Sequence, residues 1–285
     1  MRKNRLGRTG INAGAVAFGG IITTDETRAD ADRYVAWAAD RGVNYFDVAP
    51  SYGNAQDMLG PALAPYRKNA YLACKTNRRD AKGAEEEFKN SLKVLQTDYF
   101  DVYQLHGLAK QQDVDAAFAP GGAMEFLLKM KEQGYIRNLG ISAHNEDLAL
   151  QALAMYDFAT VLFPVNFALG LDKNWGYRLK TVLEYTDRGF LALKSLAHRQ
   201  WLPDEERVYP KSWCKTIFGD DRLGVAALKY TLSMGVDTIV PPGNFEQFKF
   251  VCDHIDECIA NPLNDADLAY LREEAHAVSN HHIFA

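Results

Sequence analysis

The sequence is poor in the features that mark secreted, metal-binding and membrane proteins. Its 285 residues include only four cysteines, and none has the two-residue spacing that is typical of zinc or iron–sulfur sites. No segment approaches about 18 continuous apolar residues, and the basic start of the chain lacks the apolar stretch of a signal peptide. We therefore expect reduced thiols, no metal site, no contact with a membrane and a cytoplasmic location.

Long runs of positive charge are also missing. The chain has 32 basic and 37 acidic side chains, which give a formal net charge of -5 and a pI near 5.8. Proteins that bind nucleic acid or an anionic membrane surface usually carry a concentrated basic patch, and none is visible here. Small molecules are therefore the expected partners, and the composition is compatible with a monomer or a small homo-oligomer.

Short apolar runs recur along the chain and alternate with amphipathic stretches. The runs predict eight strands, at 15–20, 43–48, 70–75, 101–106, 137–142, 160–165, 190–195 and 237–242. The amphipathic stretches predict helices at 26–40, 84–95, 122–133, 146–156, 178–188 and 221–234. Strands that alternate with helices are typical of parallel βα units.

Eight such units in one chain favour a closed (β/α)8 TIM barrel, which is an α/β fold. The alternative is an open doubly wound sheet, but the sequence AFGGIITT after the first run lacks its G-x-G-x-x-G turn. No linker or low-complexity segment divides the chain, so we expect residues 1–285 to form a single domain.

Two predicted connections, 107–122 and 196–220, are long, and both follow strands. Loops at the carboxyl ends of barrel strands build the active sites of TIM barrels. The second connection contains Trp201 and Trp213. These tryptophans either line a substrate pocket or pack the loop onto the barrel, and the sequence leaves both interpretations open.

Four ionisable side chains fall at or just after the ends of three consecutive strands: Asp47, Tyr52, Lys75 and His106. Each has an ordinary structural explanation alone, but neighbouring strand ends bring all four to one rim of a barrel. A nearby ammonium helps a phenol to release its proton, a carboxylate keeps that ammonium charged, and an imidazole orients a substrate oxygen. Together they form a set that donates a proton to an oxygen that gains negative charge.

Several motifs resemble those of the aldo-keto reductase family. FDVAPSYG, ACK and YQLHG place Asp47, Tyr52, Lys75 and His106 in the positions of the family's catalytic tetrad. RLGRTGINAGAVAFGG is similar to its opening β-hairpin and first strand, and NLGISAHN to its fifth strand. The resemblance implies an oxidoreductase that reduces an aldehyde, ketone or sugar to an alcohol with NADP(H) or NAD(H), or the reverse, with Tyr52 as general acid.

The expected contacts to the nicotinamide depart from the family pattern. Ser142 is kept, but Ala143 replaces an Asn and Leu162 replaces a Gln. Asn166 or Asn145 could compensate, although Asn145 is equally suited to cap a helix.

The seventh strand ends in LALKSLA, which is similar to a branch with an MKPL-type sequence. Its Lys194, with Leu196 nearby, is expected to approach the cofactor's phosphate or the substrate, and the alternative is a solvent-exposed lysine. At the adenosine end, Gly243 and Asn244 could present backbone N–H groups to a phosphate. Gln247 stands near the expected Arg, and Lys249 is the nearby cation, so the choice between NADPH and NADH stays open.

The C-terminal sequence NHHIFA lacks the cysteine-rich extension of iron–sulfur members of this broader branch. We expect the pair His281 and His282 to lie in a disordered tail and to bind no metal. Two other functions were considered: a cofactor-binding regulatory barrel with little turnover, and an isomerase or lyase that uses Lys75 as a Schiff-base amine.

Overall fold

The computed structural model describes residues 1–209 and 211–284. A sheet of parallel strands lies at the centre of the fold. In chain order the strands are β1 (Lys3–Arg5), β2 (Asn12–Gly14), β3 (Phe18–Gly19), β4 (Tyr45–Asp47), β5 (Tyr71–Thr76), β6 (Phe100–Leu108), β7 (Ile136–Ala143), β8 (Thr160–Pro164), β9 (Gly189–Leu193), β10 (Ala197–Gln200), β11 (Cys214–Thr216) and β12 (Thr238–Val240). Strands β3 to β9 pair in parallel, each with the next, and β12 pairs with β9.

Helices surround these strands. They are α1 (Arg28–Asp40), α2 (Ala55–Leu63), α3 (Ala81–Val94), α4 (Gln111–Phe118), α5 (Ala123–Glu132), α6 (Glu146–Met155), α7 (Phe167–Lys173), α8 (Tyr177–Glu184), α9 (Asp221–Ser233), α10 (Phe245–Ala260) and α11 (Asp265–Ala277). Short 3-10 turns cover Gly7–Thr9, Gly20–Thr23, Ala64–Asn69 and Ser279–His281. No helix in the part of the chain that the structure describes is both long and apolar enough to cross a membrane.

Backbone hydrogen bonds close the eight strands into a barrel. The N–H of Ile239 in β12 donates to the carbonyl of Ala15 at 2.9 Å, and the N–H of Ala17 donates back to Ile239 at 2.8 Å. The predicted (β/α)8 barrel is therefore confirmed, each of the eight predicted strands is present, and the open sheet was wrong. Strands of a closed parallel sheet are buried on both faces, which explains why their sequences are continuous apolar runs.

The N-terminal segment forms the predicted β-hairpin, in which β1 pairs with β2 in antiparallel fashion. Leu6, Ile11 and Ala13 of this segment are buried in one small cluster with Tyr45 and Ala73 from the inner face of the barrel. The hairpin therefore closes the end of the barrel at which the strands begin, and leaves the opposite end for a site.

Several helices were not predicted from the sequence. Helix α2 contains Gly60 and Pro61, which mask its periodicity. A Cβ at Gly60 would lie 2.2 Å from the carbonyl oxygen of Val94, so the missing side chain lets α2 pack directly on the end of α3. Helix α4 lies in the connection predicted as a loop at 107–122, and the β10–β11 ribbon lies in that at 196–220. Helices α7 and α11 were missed as well.

The C-terminal tail is ordered as far as Phe284, so the prediction that His281 and His282 lie in a disordered tail was wrong. His282 is buried, and its Nε2 lies 2.7 Å from the Oδ2 of Asp172 at the end of α7. The ring of Phe284 stacks on Trp175 with 5.6 Å between ring centres. A hydrogen-bonding contact of His282 with Asp172 and the stacking of Phe284 on Trp175 thus attach the tail to the barrel, and the composition of the tail did not predict either contact.

Candidate active site

Three of the predicted catalytic residues point into the barrel from neighbouring strands. Asp47 is the last residue of β4, Lys75 lies in β5 and His106 lies in β6. Side chains alternate between the two faces of a strand, so Asp47 shares the inner face with Tyr45, whereas Phe46 packs in the outer core. Parallel pairing then brings the three polar groups together near the open end of the barrel.

Lys75 and Asp47 form a buried ion pair. The Nζ of Lys75 contacts both carboxylate oxygens of Asp47 and lies 3.4 Å from the carbonyl oxygen of Val48. The lysine side chain is 0% exposed and the aspartate 3% exposed. Burial pulls the pKa of the Lys75 ammonium down, but Asp47 and then Tyr52 outweigh it and the pKa is raised. A lysine held protonated in this way is a poor Schiff-base nucleophile, which argues against the isomerase or lyase.

Tyr52 is held above this pair by the turn that follows β4. Its N–H donates to the carbonyl of Ala49 at 3.1 Å, and its own carbonyl accepts from the hydroxyl of Thr24 at 3.0 Å. The Nζ of Lys75 lies 5.3 Å from the centre of the Tyr52 ring. Burial raises the pKa of the Tyr52 phenol, and the Lys75 ammonium is the largest influence that opposes this rise. The phenol is therefore protonated at neutral pH and lies beside the cation that favours its deprotonation.

His106 faces Tyr52 edge-on, with 5.6 Å between the ring centres and an angle of 84° between the planes. Burial first, and then the Lys75 cation, lowers the pKa of His106 to about 2, so the ring is neutral at physiological pH. Arg79, which sequence reasoning missed, donates from Nη2 to the carbonyl oxygen of His106 at 2.6 Å and pairs with Asp113. Arg79 is the second of two adjacent arginines, Arg78 and Arg79, and the local sequence does not indicate that it holds the backbone of His106 in place.

Tyr52, His106 and Asp47 line a cavity of about 210 Å³ at the open end of the barrel. The other lining residues are Gly19, Ile21, Ser142, His144, Leu162, Leu193, Lys194, Ala197, Lys211, Ser212, Trp213, Cys214, Thr216, Val240, Pro241, Pro242 and Gly243. We call this the substrate cavity. Several of its polar residues, among them Lys211 and His144, were not singled out as site residues, because they lie in loops whose folding the sequence pattern does not predict.

The two tryptophans of the long second connection have different positions. Trp213 lines the substrate cavity, and its ring lies 4.3 Å from the Nζ of Lys194. Trp201 donates its Nε1–H to the carbonyl oxygen of Ser212 at 3.0 Å, a contact that ties the loop to itself. Trp213 thus lines the cavity, whereas the side chain of Trp201 does not and is bound within its own loop; contact of either tryptophan with a substrate stays a prediction.

Some residues expected at the nicotinamide are already bound within the fold. Asn166 accepts from the N–H of Leu169 at 3.1 Å as the cap of α7, and donates to the carbonyl of Ala197 at 2.5 Å. The side chain of Leu196 is fully buried in the outer core. Asn145 accepts from the N–H of Leu148 and caps α6, as its capping interpretation predicted. Of the predicted nicotinamide contacts, Ser142 is the one whose polar side chain lines the cavity.

A second cavity adjoins the first and shares Lys211, Ser212 and Gly243 with it. Its remaining lining residues are Glu26, Tyr34, Tyr209, Asn244, Phe245 and Glu246. We call this the adjoining cavity. The two cavities lie side by side between Tyr52 and the start of α10, and the three shared residues stand between them.

The residues expected to hold a phosphate at the adenosine end are also occupied. The side chain of Asn244 accepts from the N–H groups of Glu246 and Gln247, so it already satisfies the first turn of α10. Gln247 is 0% exposed, and its Nε2 donates to Thr216 at 2.5 Å. Lys249 is paired with Glu246 at 2.6 Å. Within 1–209 and 211–284, the structure contains no cluster of three or more His, Cys, Asp or Glu side chains that could bind a metal ion.

Comparison with known proteins agrees with this geometry. An uncharacterized oxidoreductase of Bacillus subtilis, YqkF, is 31% identical over 190 residues, which cover 61% of this chain and 60% of that protein. The aldo-keto reductase YhdN of the same organism is 31% identical over 161 residues, which cover 50% of this chain and 47% of that protein. The chain thus spans about half to three-fifths of the length of these curated relatives.

Solved structures show the same fold. An aldo-keto reductase from Bacillus halodurans, in its holo form, has a TM-score of 0.73 at 22% identity and covers 98% of this chain and 96% of its own. The glycerol dehydrogenase of Gluconobacter oxydans has a TM-score of 0.71 at 17% identity, with 97% and 95% covered. The family model described as the aldo/keto reductase family matches residues 11–204, which is more than half of the chain. The chain belongs to the aldo/keto reductase family.

Proposed function

We propose that the protein is an oxidoreductase that reduces a small aldehyde, ketone or sugar to an alcohol with NAD(P)H, or catalyses the reverse. One observation carries this proposal. The Tyr52 phenol, the buried ion pair of Lys75 with Asp47, and the neutral His106 meet at the wall of one cavity. Membership of the family and its resemblance at all four positions support the same activity.

The chemistry follows from the charges. When bound, the dinucleotide supplies the hydride. Tyr52 donates its proton to the carbonyl oxygen as negative charge develops there, and Lys75 stabilises the phenolate that forms. Lowering the effective pKa of a phenol by two to three units corresponds to about 3–4 kcal/mol of stabilisation. Asp47 keeps Lys75 charged and aimed, and the neutral His106 hydrogen-bonds the substrate oxygen and sets its angle toward the phenol.

The donor set of the two cavities fits a dinucleotide. The substrate cavity offers apolar walls at Leu162, Leu193 and Val240 for a nicotinamide ring, with Ser142 as a polar contact. Lys211 lies where the two cavities join and can face a diphosphate. Residues of this kind would hold NAD(P)H with its reactive end next to Tyr52.

We further propose that the preferred cofactor is NADH. Glu26, which is paired with Lys211, and Glu246, which is paired with Lys249, both line the adjoining cavity. Their carboxylates can accept a hydrogen bond from a free ribose hydroxyl, whereas a 2′-phosphate would have to compete with them for the two lysines. The nearby cation, Lys249, is bound to Glu246, and Gln247 is buried against Thr216. No cation of α10 in the described residues is thus left to bind the extra phosphate of NADPH.

Fluorescence titration with NADH and NADPH tests this preference without turnover. We expect NADH to bind at least about tenfold more tightly, a difference of about 1.4 kcal/mol. Glu246→Gln should reduce the difference between the affinities for NADH and NADPH. Glu257→Gln, which changes an exposed residue of the same helix, should leave that difference unchanged. Tighter binding of NADPH by the unmodified protein would contradict the proposal.

Stopped-flow reduction of aldehydes and sugars tests the activity. Tyr52→Phe removes the proton donor and should reduce turnover by about 10²–10⁴-fold. Tyr185→Phe is the matched control, because Tyr185 is 85% exposed and does not line the substrate cavity. Equal turnover by the wild type and Tyr52→Phe would refute the proposal. Tight NAD(P)H binding without turnover of any carbonyl would instead indicate a regulatory barrel.

Within the family, we propose the branch that includes the iron–sulfur members. The sequence LALKSLA supports this placement, because Lys194 and Leu196 stand as they do in the MKPL-type pattern.

A further inference from the structure

Lys194 has a backbone conformation that few lysines adopt. It follows β9 directly, and its φ is +71°, in the left-handed region where glycine is usual. Its carbonyl oxygen accepts from the N–H of Ala197 at 3.0 Å, so the strand turns sharply at this residue. Glycine would make the same turn without strain. Strained residues of this kind cluster at functional sites, where the strain directs a side chain.

The strained turn places the lysine in the substrate cavity. Lys194 is half-buried and lines the cavity together with Tyr52 and His106. Its Nζ lies 4.3 Å from the ring centre of Trp213, which is itself part of the cavity wall. A cation over an indole is held weakly, and the interaction leaves the ammonium free to bind an anion.

Among the residues that the structure describes, no carboxylate pairs with Lys194. Three lining residues of the cavity, among those that the structure describes, carry a formal charge: Asp47, Lys211 and Lys194. Asp47 is paired with Lys75, and Lys211 with Glu26 at 2.5 Å. Within residues 1–209 and 211–284, the ammonium of Lys194 has no carboxylate within salt-bridge distance. Burial lowers the pKa of the Lys194 ammonium, and the neighbouring Cys214 opposes this decrease. A bound anion would likewise favour the charged form of the lysine.

The two cavities separate the reacting end of the proposed complex from the adenosine end of the cofactor. A dinucleotide that runs from Tyr52 to α10 passes the residues shared by both cavities, and Lys211 is the cation at that junction. Lys194 lines the substrate cavity and not the adjoining one. Lys194 therefore lies near the reacting groups, where the nicotinamide and the carbonyl compound meet, and away from the adenosine end of the cofactor.

We propose that Lys194 binds a carboxylate of the substrate, so that the substrates of this enzyme are oxo acids. This inference rests on the proposed carbonyl reductase function and narrows its substrate class. The ammonium forms a charge-assisted hydrogen bond with the carboxylate, while Tyr52 and His106 engage the carbonyl oxygen of the same molecule.

The test compares oxo acids with their methyl esters, which keep the shape and remove the charge. With NADH, the wild type should reduce 4-oxobutanoate, 5-oxopentanoate or 4-carboxybenzaldehyde with a kcat/KM at least about tenfold above that of the matching ester. Lys194→Met should remove this preference by lowering the value for the acid, with the ester and NADH binding changed less than about threefold. Lys82→Met, on the exposed face of α3, serves as the control and should behave as the wild type.

Two results would overturn the inference. The first is an equal kcat/KM of the wild type for the oxo acid and for its methyl ester. The second is a Lys194→Met variant that loses both substrates equally and binds NADH more weakly, which would assign the lysine to the cofactor's diphosphate. Binding of glutarate, followed by calorimetry in the wild type and in Lys194→Met, separates this inference from the proposed activity. Lys194-dependent binding supports the anion site even when no carbonyl is turned over, and binding that does not depend on Lys194 refutes it.

Discussion

The buried ion pair of Lys75 with Asp47 allows a quantitative prediction about stability. Neither side chain has more than 3% of its surface exposed, and beyond the carboxylate the ammonium has one further acceptor, the carbonyl of Val48 at 3.4 Å. Removing one partner leaves the other charge in a medium of low polarity. Such single substitutions typically reduce the free energy of unfolding by about 3–5 kcal/mol, because the remaining charge is no longer compensated.

We therefore predict that Asp47→Asn and Lys75→Met each cost about 3–5 kcal/mol, and that the double variant is no less stable than either single one. In the double variant neither charge remains buried, so the two costs cannot add. The coupling energy of the cycle should accordingly be at least about 3 kcal/mol. Urea unfolding followed by circular dichroism measures each free energy.

Asp32→Asn is the matched control for this cycle. Asp32 pairs with Arg28 across one turn of α1, and both side chains are exposed, at 51% and 44%. An exposed pair of this kind contributes about 0.3–0.5 kcal/mol. Additive costs in the Asp47 and Lys75 cycle, or single costs as small as that of the control, would refute the reasoning.

The same pair determines how stability depends on pH. In the wild type the pKa of Lys75 is raised, so its contribution is complete below the unfolded value of about 10.4 and is lost as the pH rises through the folded value. The Asp47→Asn variant lacks the carboxylate that chiefly raises the pKa of Lys75. Burial then lowers the pKa of Lys75 below its value in the unfolded state. The unfolded state of this variant then binds more protons than the folded state, so its stability should increase as the pH rises toward the unfolded pKa of about 10.4, where the wild type gains none.

Two further predictions concern activity and packing. Because burial, and after it Lys75, lowers the pKa of His106 to about 2, kcat/KM for reduction should show no inflection near pH 6.5. An inflection there that disappears in His106→Gln would contradict this. Gly60→Ala should cost about 2 kcal/mol or more, because its Cβ would lie 2.2 Å from the backbone oxygen of Val94. Gly83→Ala is the control, since its nearest neighbour belongs to a flexible side chain; equal melting temperatures for the two variants would refute the packing argument.

The barrel was predictable because the strands of a closed parallel barrel have a recognisable sequence pattern. Strands buried on both faces must be apolar throughout, and a polar residue such as Asp47 at the end of such a run stands out against it. The ordered spacing of Asp47, Lys75 and His106 on successive strands then implies proximity, since neighbouring strands of a barrel end at the same rim. These residues meet in the structure, with Tyr52 above them.

Residues in loops and at helix ends were harder to assign. Asn166 and Asn244 have side chains that suit a cofactor and a helix cap equally well, and the structure uses both as caps. Gln247 was placed near the cofactor by its position in the chain, but its side chain turns inward to Thr216. The direction of one side chain depends on neighbours from distant segments, which a local pattern does not specify.

The sequence by itself determined the alternation of strands and helices, the closure into eight units and the acid, lysine, phenol and imidazole at consecutive strand ends. These features follow from local periodicity and from the order of residues along the chain. Only the tertiary structure decided that Lys194 lines the substrate cavity with no carboxylate paired to it among the described residues, that two carboxylates line the adjoining cavity, and that Phe284 attaches the tail. Each of these depends on contacts between segments far apart in sequence, where burial and pairing of charges are set by the folded chain as a whole.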